Sequence, residues 1–237
     1  MPPYQLPLNI KLRDEAVFDN FVAQGQTPLL AILKNFSLKQ TESFLYCYGS
    51  EGVGKTHLLQ ACCHVAPDIF YLPLSPLEDF SPSIFDSLEY QKMICIDDVD
   101  ALIGNRTWEE AFFHFYNRAR DNNVFLLMSA TLPPQQWKSI LPDLQSRLSS
   151  ALILEIKNLN DDEKKHALQL RAKSRGIVLS EDVVTYLINH YSRHMHHLFS
   201  VLEKLDHASL VTKRKITIPF IKFVMQDEAF YDKIHPV

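Results

Sequence analysis

Short uninterrupted apolar runs punctuate the first two thirds of the chain: FLYCY at 44–48, IFYL at 69–72, MICI at 93–96, VFLLM at 124–128 and ALILEI at 151–156. They are rich in β-branched and aromatic residues, and amphipathic stretches separate them. Such runs predict strands buried on both faces of a parallel sheet, with helices as the crossovers. Thr107 and Glu110 have capping-box spacing ahead of Ala111, Phe112 and Phe115, which predicts a helix start.

After about Asn158 the strand-like runs stop and helical spacing takes over. Asn160 with Glu163 opens one predicted helix, and Gly176 stands where a left-handed cap would end it. Ser180, followed by Glu181 and Asp182, opens a second, with Val183, Val184, Leu187 and Tyr191 on one face. A third runs through Met195, Leu198, Phe199, Leu202 and Leu205, and Thr217 with Pro219 begins a short last one. The pattern predicts an α/β domain with a central parallel sheet over residues 12–157 and a small all-helical domain over 158–237, preceded by an extended segment, 1–11.

Composition narrows the function classes. The 237 residues are 46% hydrophobic and 22% charged, as expected of a globular protein with a sizeable core. A net charge of −4 argues against nucleic-acid binding by bulk electrostatics. Cys47, Cys62, Cys63 and Cys95 lie in or beside apolar runs without zinc-site spacing, and are expected to be buried reduced thiols. The start lacks a signal-peptide layout, and no apolar run approaches the ~20 residues that span a bilayer. A cytoplasmic protein with no membrane partner is the expectation.

The chemistry concentrates at strand ends. CYGSEGVGKT at 47–56 places Gly49, Gly52, Gly54, Lys55 and Thr56 between a predicted strand and a predicted helix, the context of a phosphate-binding loop. Glycines let backbone N–H groups turn toward a phosphate, and the helix N-terminus adds partial positive charge. Lys55 is placed for the β- and γ-phosphates, Thr56 for Mg²⁺, and His57 follows in the first helical turn. The run at 93–96 ends in Asp97 and Asp98: Asp97 is a candidate for magnesium or its water, Asp98 for the general base on an attacking water. Asp100 adds charge that favours a bound cation. After the run at 124–128, Ser129 and Thr131 are alternatives for a γ-phosphate contact. Arg147 and Arg193 are weaker candidates for phosphate. His194, His196 and His197 lack a further ligand at matching spacing, and TKRKI at 212–216 reads as a solvated helix end.

Together these elements resemble the DnaA-type AAA+ family. FDNFV (18–22), the phosphate loop, IDD (96–98), LPDLQSRL (141–148) and SRGIVLSEDVVTYL (174–187) carry the likeness, which spans about residues 12–226. FYNRA (115–119), ALQLRAKSRG (167–176) and KITIPFIK (215–222) resemble the Hda-type members, regulators that work with the sliding clamp to inactivate DnaA. The resemblance implies an AAA+ P-loop NTPase fold with a helical lid, holding ADP or ATP with Mg²⁺. It puts Phe21 and Val22 at the adenine and Thr131 at sensor 1, where the family usually carries Asp. It makes Arg147 an arginine finger acting in trans and Arg193 the sensor 2 residue. SSA after Leu148 departs from the family's aromatic-glycine turn.

QLPLNI at 5–10 resembles the peptide by which bacterial proteins dock on the sliding clamp (the DNA polymerase III beta subunit). Gln5 offers an amide, Leu6, Leu8 and Ile10 apolar anchors, and Pro7 stiffness that lowers the ordering cost. The chain ends just after the lid, where DnaA continues into a basic DNA-binding domain, so little direct sequence-specific DNA binding is expected. The leading expectation is a negative regulator of replication initiation whose partners are DnaA and the clamp. It is more an activator of a partner's ATPase than a strong ATPase itself, and a homodimer or higher oligomer stays open. The alternative is an autonomous AAA+ ATPase such as a helicase loader or clamp-loader-like subunit.

Overall fold

The computed structural model describes residues 12–22, 25–39, 42–66, 68–191 and 194–226. The chain divides into two compact units after Asn158. In the first, α1 (Thr27–Ser37), β1 (Phe44–Tyr48), α2 (Lys55–Val65), β2 (Ile69–Pro73), β3 (Met93–Asp97), α3 (Arg106–Asp121), β4 (Phe125–Ala130), α4 (Pro142–Ser149) and β5 (Leu152–Glu155) follow in order. The five strands form one parallel sheet ordered β2-β3-β4-β1-β5.

The period-two geometry of a strand explains why the apolar runs are unbroken. Tyr46, Ile94, Ile96, Leu126 and Met128 face one core, filled by Phe112, Phe115 and Tyr116 of α3. Leu45, Cys47, Met93, Cys95 and Leu127 face the other, filled by Leu33 and Phe36 of α1 and Leu58, Leu59 and Cys62 of α2. Both faces exclude water, and the buried polar residues of these strands, Asp97 and Ser129, stand only at the C-terminal ends of β3 and β4. All four cysteines are free and buried, and burial pushes the thiols of Cys47, Cys62 and Cys95 well above their ordinary range.

The start of α3 corrects one expectation. Asn105, not Thr107, is the N-cap: its side chain accepts the Trp108 N–H at 3.5 Å. Gly104, at φ +86°, turns the chain directly ahead of Asn105, and Glu110 pairs with Arg106 one turn back instead of closing a box.

The second unit is helical: α5 (Asp161–Ser174), α6 (Glu181–His190), α7 (Met195–Thr212) and α8 (Ile218–Gln226). Asn160 and Glu163 form a reciprocal capping box at the start of α5. At its end Gly176 takes φ +74°, with Ile177 N–H on Ala172 O and Gly176 N–H on Lys173 O, a complete Schellman motif. Arg175 pairs with Glu203 and Asp206 of α7 at 3.0 and 3.5 Å. Among the described residues no helix is long and apolar enough to cross a membrane.

Candidate functional site

Parallel strands bring their C-terminal ends to one edge of the sheet, and there the loop after β1 meets the acidic end of β3 and the end of β4. Gly49 N–H donates to Ala130 O at 3.2 Å, which joins the loop to β4. A Cβ on Gly49 would collide with Ile156 O and stand 3.0 Å from Val53 Cγ2. Gly54, at φ +100°, caps α2 without a side chain, so the first-turn N–H groups of the helix stay available to an anion. A Cβ there would come within 2.8 Å of Phe21 Cε2. Lys55 is 7% exposed, and its ammonium donates to Gly49 O at 2.9 Å and Ser50 O at 3.2 Å. The loop is thus curled around its own lysine. Thr56 is half-buried beside it.

The acids are held by buried hydroxyls. Asp97 is 2% exposed: Tyr71 Oη donates to its Oδ2 at 2.8 Å, and Ser129 Oγ donates to its Oδ1. Ser129 Oγ also accepts the Asp98 N–H at 3.0 Å. Ser129 therefore sets the geometry of both aspartates, and Asp98 takes a left-handed backbone with φ +59°. Thr131 Oγ1 donates to Asp100 Oδ2 at 3.2 Å, whereas Asp100 Oδ1 is buried with no partner. Of the two sensor candidates, Ser129 binds the buried acid and Thr131 the outer one. Burial, with help from Asp97 and Asp100, pushes the Asp98 carboxyl up to about 6, and Lys55 opposes this. Tyr71 has no counterpart in the sequence reading. The available signal was a tyrosine on the neighbouring strand in register with Cys95, two residues before Asp97.

Among the described residues no three His, Cys, Asp or Glu side chains are placed to hold a metal alone. Magnesium fits on other terms, since it is commonly held by one or two carboxylates with phosphate oxygens and water completing the shell. The orphaned Asp100 Oδ1 and the like charges around Asp98 leave unmet demand for a cation.

A strap over residues 12–22 lies against α2. His57 Nε2 meets Val17 O at 2.8 Å, and its ring stands 5.8 Å from that of Phe21. Gln60 accepts Arg13 N–H at 3.1 Å, and Val22 is buried. Gln26, absent from the sequence reading, accepts Lys157 N–H at 3.0 Å and donates to Lys157 O at 3.4 Å. Phe21 and His57 are thus placed at the loop's helix, with His57 engaged by the strap.

Arg147 lies elsewhere. The chain runs from α4 to the start of β5, where Leu152 stands opposite Leu45 near the start of β1. Tyr116 joins this edge through Ser150 Oγ at 3.4 Å and the Phe44 ring at 4.8 Å. Burial raises the Tyr116 pKa, and the Ser150 hydrogen bond and the charges of Arg120 and Arg147 oppose it. The N-terminal edge is separated from the loop by a strand's length, roughly 15 Å. Arg147 is half-buried; its carbonyl accepts Ser150 N–H at 3.1 Å and Ser150 Oγ at 2.6 Å, while its guanidinium makes no hydrogen bond or ion pair with any described residue. Gln5, Leu6, Leu8, Ile10 and Arg193 lie outside the described residues.

Two family models match the chain: that of the bacterial DnaA ATPase domain over residues 81–155 and that of the Hda lid domain over 161–225. Domain III of the Thermotoga maritima replication initiation protein DnaA is similar in fold, with a TM-score of 0.79 at 22% identity over 92% of this chain and 98% of that one. AMPPCP-bound DnaA from Aquifex aeolicus matches with a TM-score of 0.68 at 21% identity, over 82% of this chain and 65% of that one. The Thermotoga maritima RuvB Holliday junction branch migration motor matches with a TM-score of 0.63 at 19% identity, over 92% and 72%.

Proposed function

The chain belongs to the DnaA-homologous AAA+ proteins of Hda type, and from that premise we propose that it regulates replication initiation negatively by promoting hydrolysis of DnaA-bound ATP. The observation that carries this reading is the position of Arg147. Its guanidinium makes no hydrogen bond or ion pair with any described residue, and its helix turn leads into the start of β5, at the strand ends away from the chain's own phosphate loop. From there it reaches a nucleotide held by another molecule. A planar guanidinium placed on a transferring phosphoryl group stabilises the charge that develops there, an effect of about 10³–10⁵ on rate.

The chain's own site is suited to ADP or ATP, as in the AMPPCP-bound relative. Gly49, Gly52 and Gly54 would wrap the phosphates, and the Lys55 ammonium would move from the Gly49 and Ser50 carbonyls to them. Phe21 and Val22 would line the adenine side, with His57 steadying the strap behind Phe21. Thr56 and Asp97 would hold Mg²⁺, which supplies charge neutralisation at the β- and γ-phosphate oxygens. Asp98 would take the proton of an attacking water in any intrinsic hydrolysis, with Thr131 as sensor 1 and Arg193 as sensor 2. Gln5, Leu6, Leu8 and Ile10 would dock on the sliding clamp, which brings Arg147 to DnaA on DNA.

Single-turnover ATP hydrolysis by purified DnaA, with this protein and DNA-loaded clamp added, tests the proposal. Clamp-dependent stimulation that Arg147→Ala abolishes is the expected outcome. No stimulation, together with substantial turnover by this chain alone, would overturn it in favour of an autonomous ATPase.

A further inference from the structure

Glu109, in the first turn of α3, is 2% exposed, and both its carboxylate oxygens are engaged by backbone. Oε1 accepts Gly104 N–H at 2.7 Å, and Oε2 accepts Leu141 N–H at 2.8 Å. Burying a carboxylate is costly, and an apolar side chain of similar volume would pack this position more cheaply. The two donors belong to different loops. Gly104 ends the segment that leaves β3 through Asp98 and Asp100. Leu141 is the residue before α4, whose first residue, Pro142, has no N–H. Glu109 is thus a direct bridge between the acidic segment and the start of the helix that carries Arg147.

A second tie holds the same helix. Gln145, two residues before Arg147, donates to Pro134 O at 2.8 Å and Trp137 O at 3.2 Å. Trp137 Nε1 donates to Tyr46 Oη at 3.2 Å, and Tyr46 Oη donates to Leu132 O at 2.9 Å. Tyr46 lies in β1, the strand that feeds the phosphate loop. α4 therefore hangs from two polar ties: one to the segment after β3, one to the segment after β4 and to β1.

We propose that Glu109 is a positioning residue for Arg147: its carboxylate fixes the start of α4 against the acidic segment, so that the guanidinium meets the partner's phosphate in productive geometry. This rests on the reading that Arg147 acts in trans. A reacting group displaced by about 1 Å can cost about a hundredfold in rate without loss of binding. In Glu109→Gln one carboxylate oxygen becomes an NH₂ facing an N–H donor, so one of the two ties breaks while volume is kept.

The test is single-turnover hydrolysis of DnaA-bound ATP, in the presence of DNA-loaded clamp, across a titration of this protein. Thermal unfolding of each variant runs alongside. Expected for Glu109→Gln is a maximal rate about tenfold to a hundredfold lower, with the half-saturating concentration and the chain's own ADP affinity unchanged. In an Arg147→Ala background the same substitution should change nothing further, because the two residues act as one unit. If Glu109→Gln does not fold, Gln145→Ala takes its place, with a smaller drop in maximal rate and the same lack of additivity. A wild-type maximal rate in the folded variant, or a further loss added to that of Arg147→Ala, would overturn the inference alone. Absence of stimulation by the wild type would remove the functional reading and this inference with it.

Discussion

The two edges of the sheet are built on opposite principles. At the C-terminal edge almost every polar group is satisfied from within: Lys55 by loop carbonyls, Asp97 by Tyr71 and Ser129, Asp100 Oδ2 by Thr131. At the N-terminal edge the cation Arg147 has a fixed backbone and a guanidinium with no partner among the described residues. A site that stores its charges in internal contacts must exchange them when ligand arrives, so its affinity depends on what is released. A group held without a partner exchanges only water and is ready for an outside acceptor. On the proposed reading the first edge serves a resident ligand and the second an encounter.

Lys55→Ala tests this division with the largest effect. On the proposed reading it removes a charge-assisted contact to phosphate, worth about 1.5–3 kcal/mol, and so should weaken ADP binding roughly tenfold to a hundredfold. Arg147→Ala should leave ADP affinity unchanged. Isothermal titration of both variants decides; weakening by Arg147→Ala would mean that the edges are not independent.

Tyr71→Phe probes the stored contacts one at a time. It keeps the ring but leaves the buried Asp97 Oδ2 without its donor, at a cost of about 1–3 kcal/mol measurable by urea unfolding. A saturating Mg²⁺ nucleotide should recover part of this loss, because a cation near the carboxylate replaces the missing donor. An unchanged urea midpoint would show that Asp97 does not depend on Tyr71.

These residues also mark where the sequence stops being legible. The strands could be read because burial on both faces leaves uninterrupted apolar runs. The ends of α5 could be read because Asn160, Glu163 and Gly176 act within a few residues of themselves. The Thr107–Glu110 spacing misled because Gly104 and Asn105, just upstream, form the better cap. Tyr71, Glu109 and Gln26 escaped notice because their partners, Asp97, Leu141 and Lys157, lie far along the chain and are brought near only by the fold. Local spacing identifies Arg147 as a candidate, but its edge follows only from the strand order.

Asp98→Asn should have the smallest effect, with the sign depending on pH. In the metal-free protein burial and the neighbouring acids lift the Asp98 carboxyl from 3.8 to about 6, so the native state holds its proton over a range where the unfolded chain has released it. That contribution to stability is fully present below pH 3.8 and is lost as pH rises through about 6. The asparagine cannot ionise and avoids the loss. Its melting temperature should exceed the wild type's by a few degrees at pH 7.5, and the gap should close by about pH 4. Partial exposure of the carboxyl screens the effect and keeps it modest. Mg²⁺ nucleotide should narrow the gap at pH 7.5, since positive charge at the site favours the ionised acid. A gap independent of pH would place the origin of the stabilisation in packing, and the C-terminal edge would then lack the charge tension that sets it apart from the edge bearing Arg147.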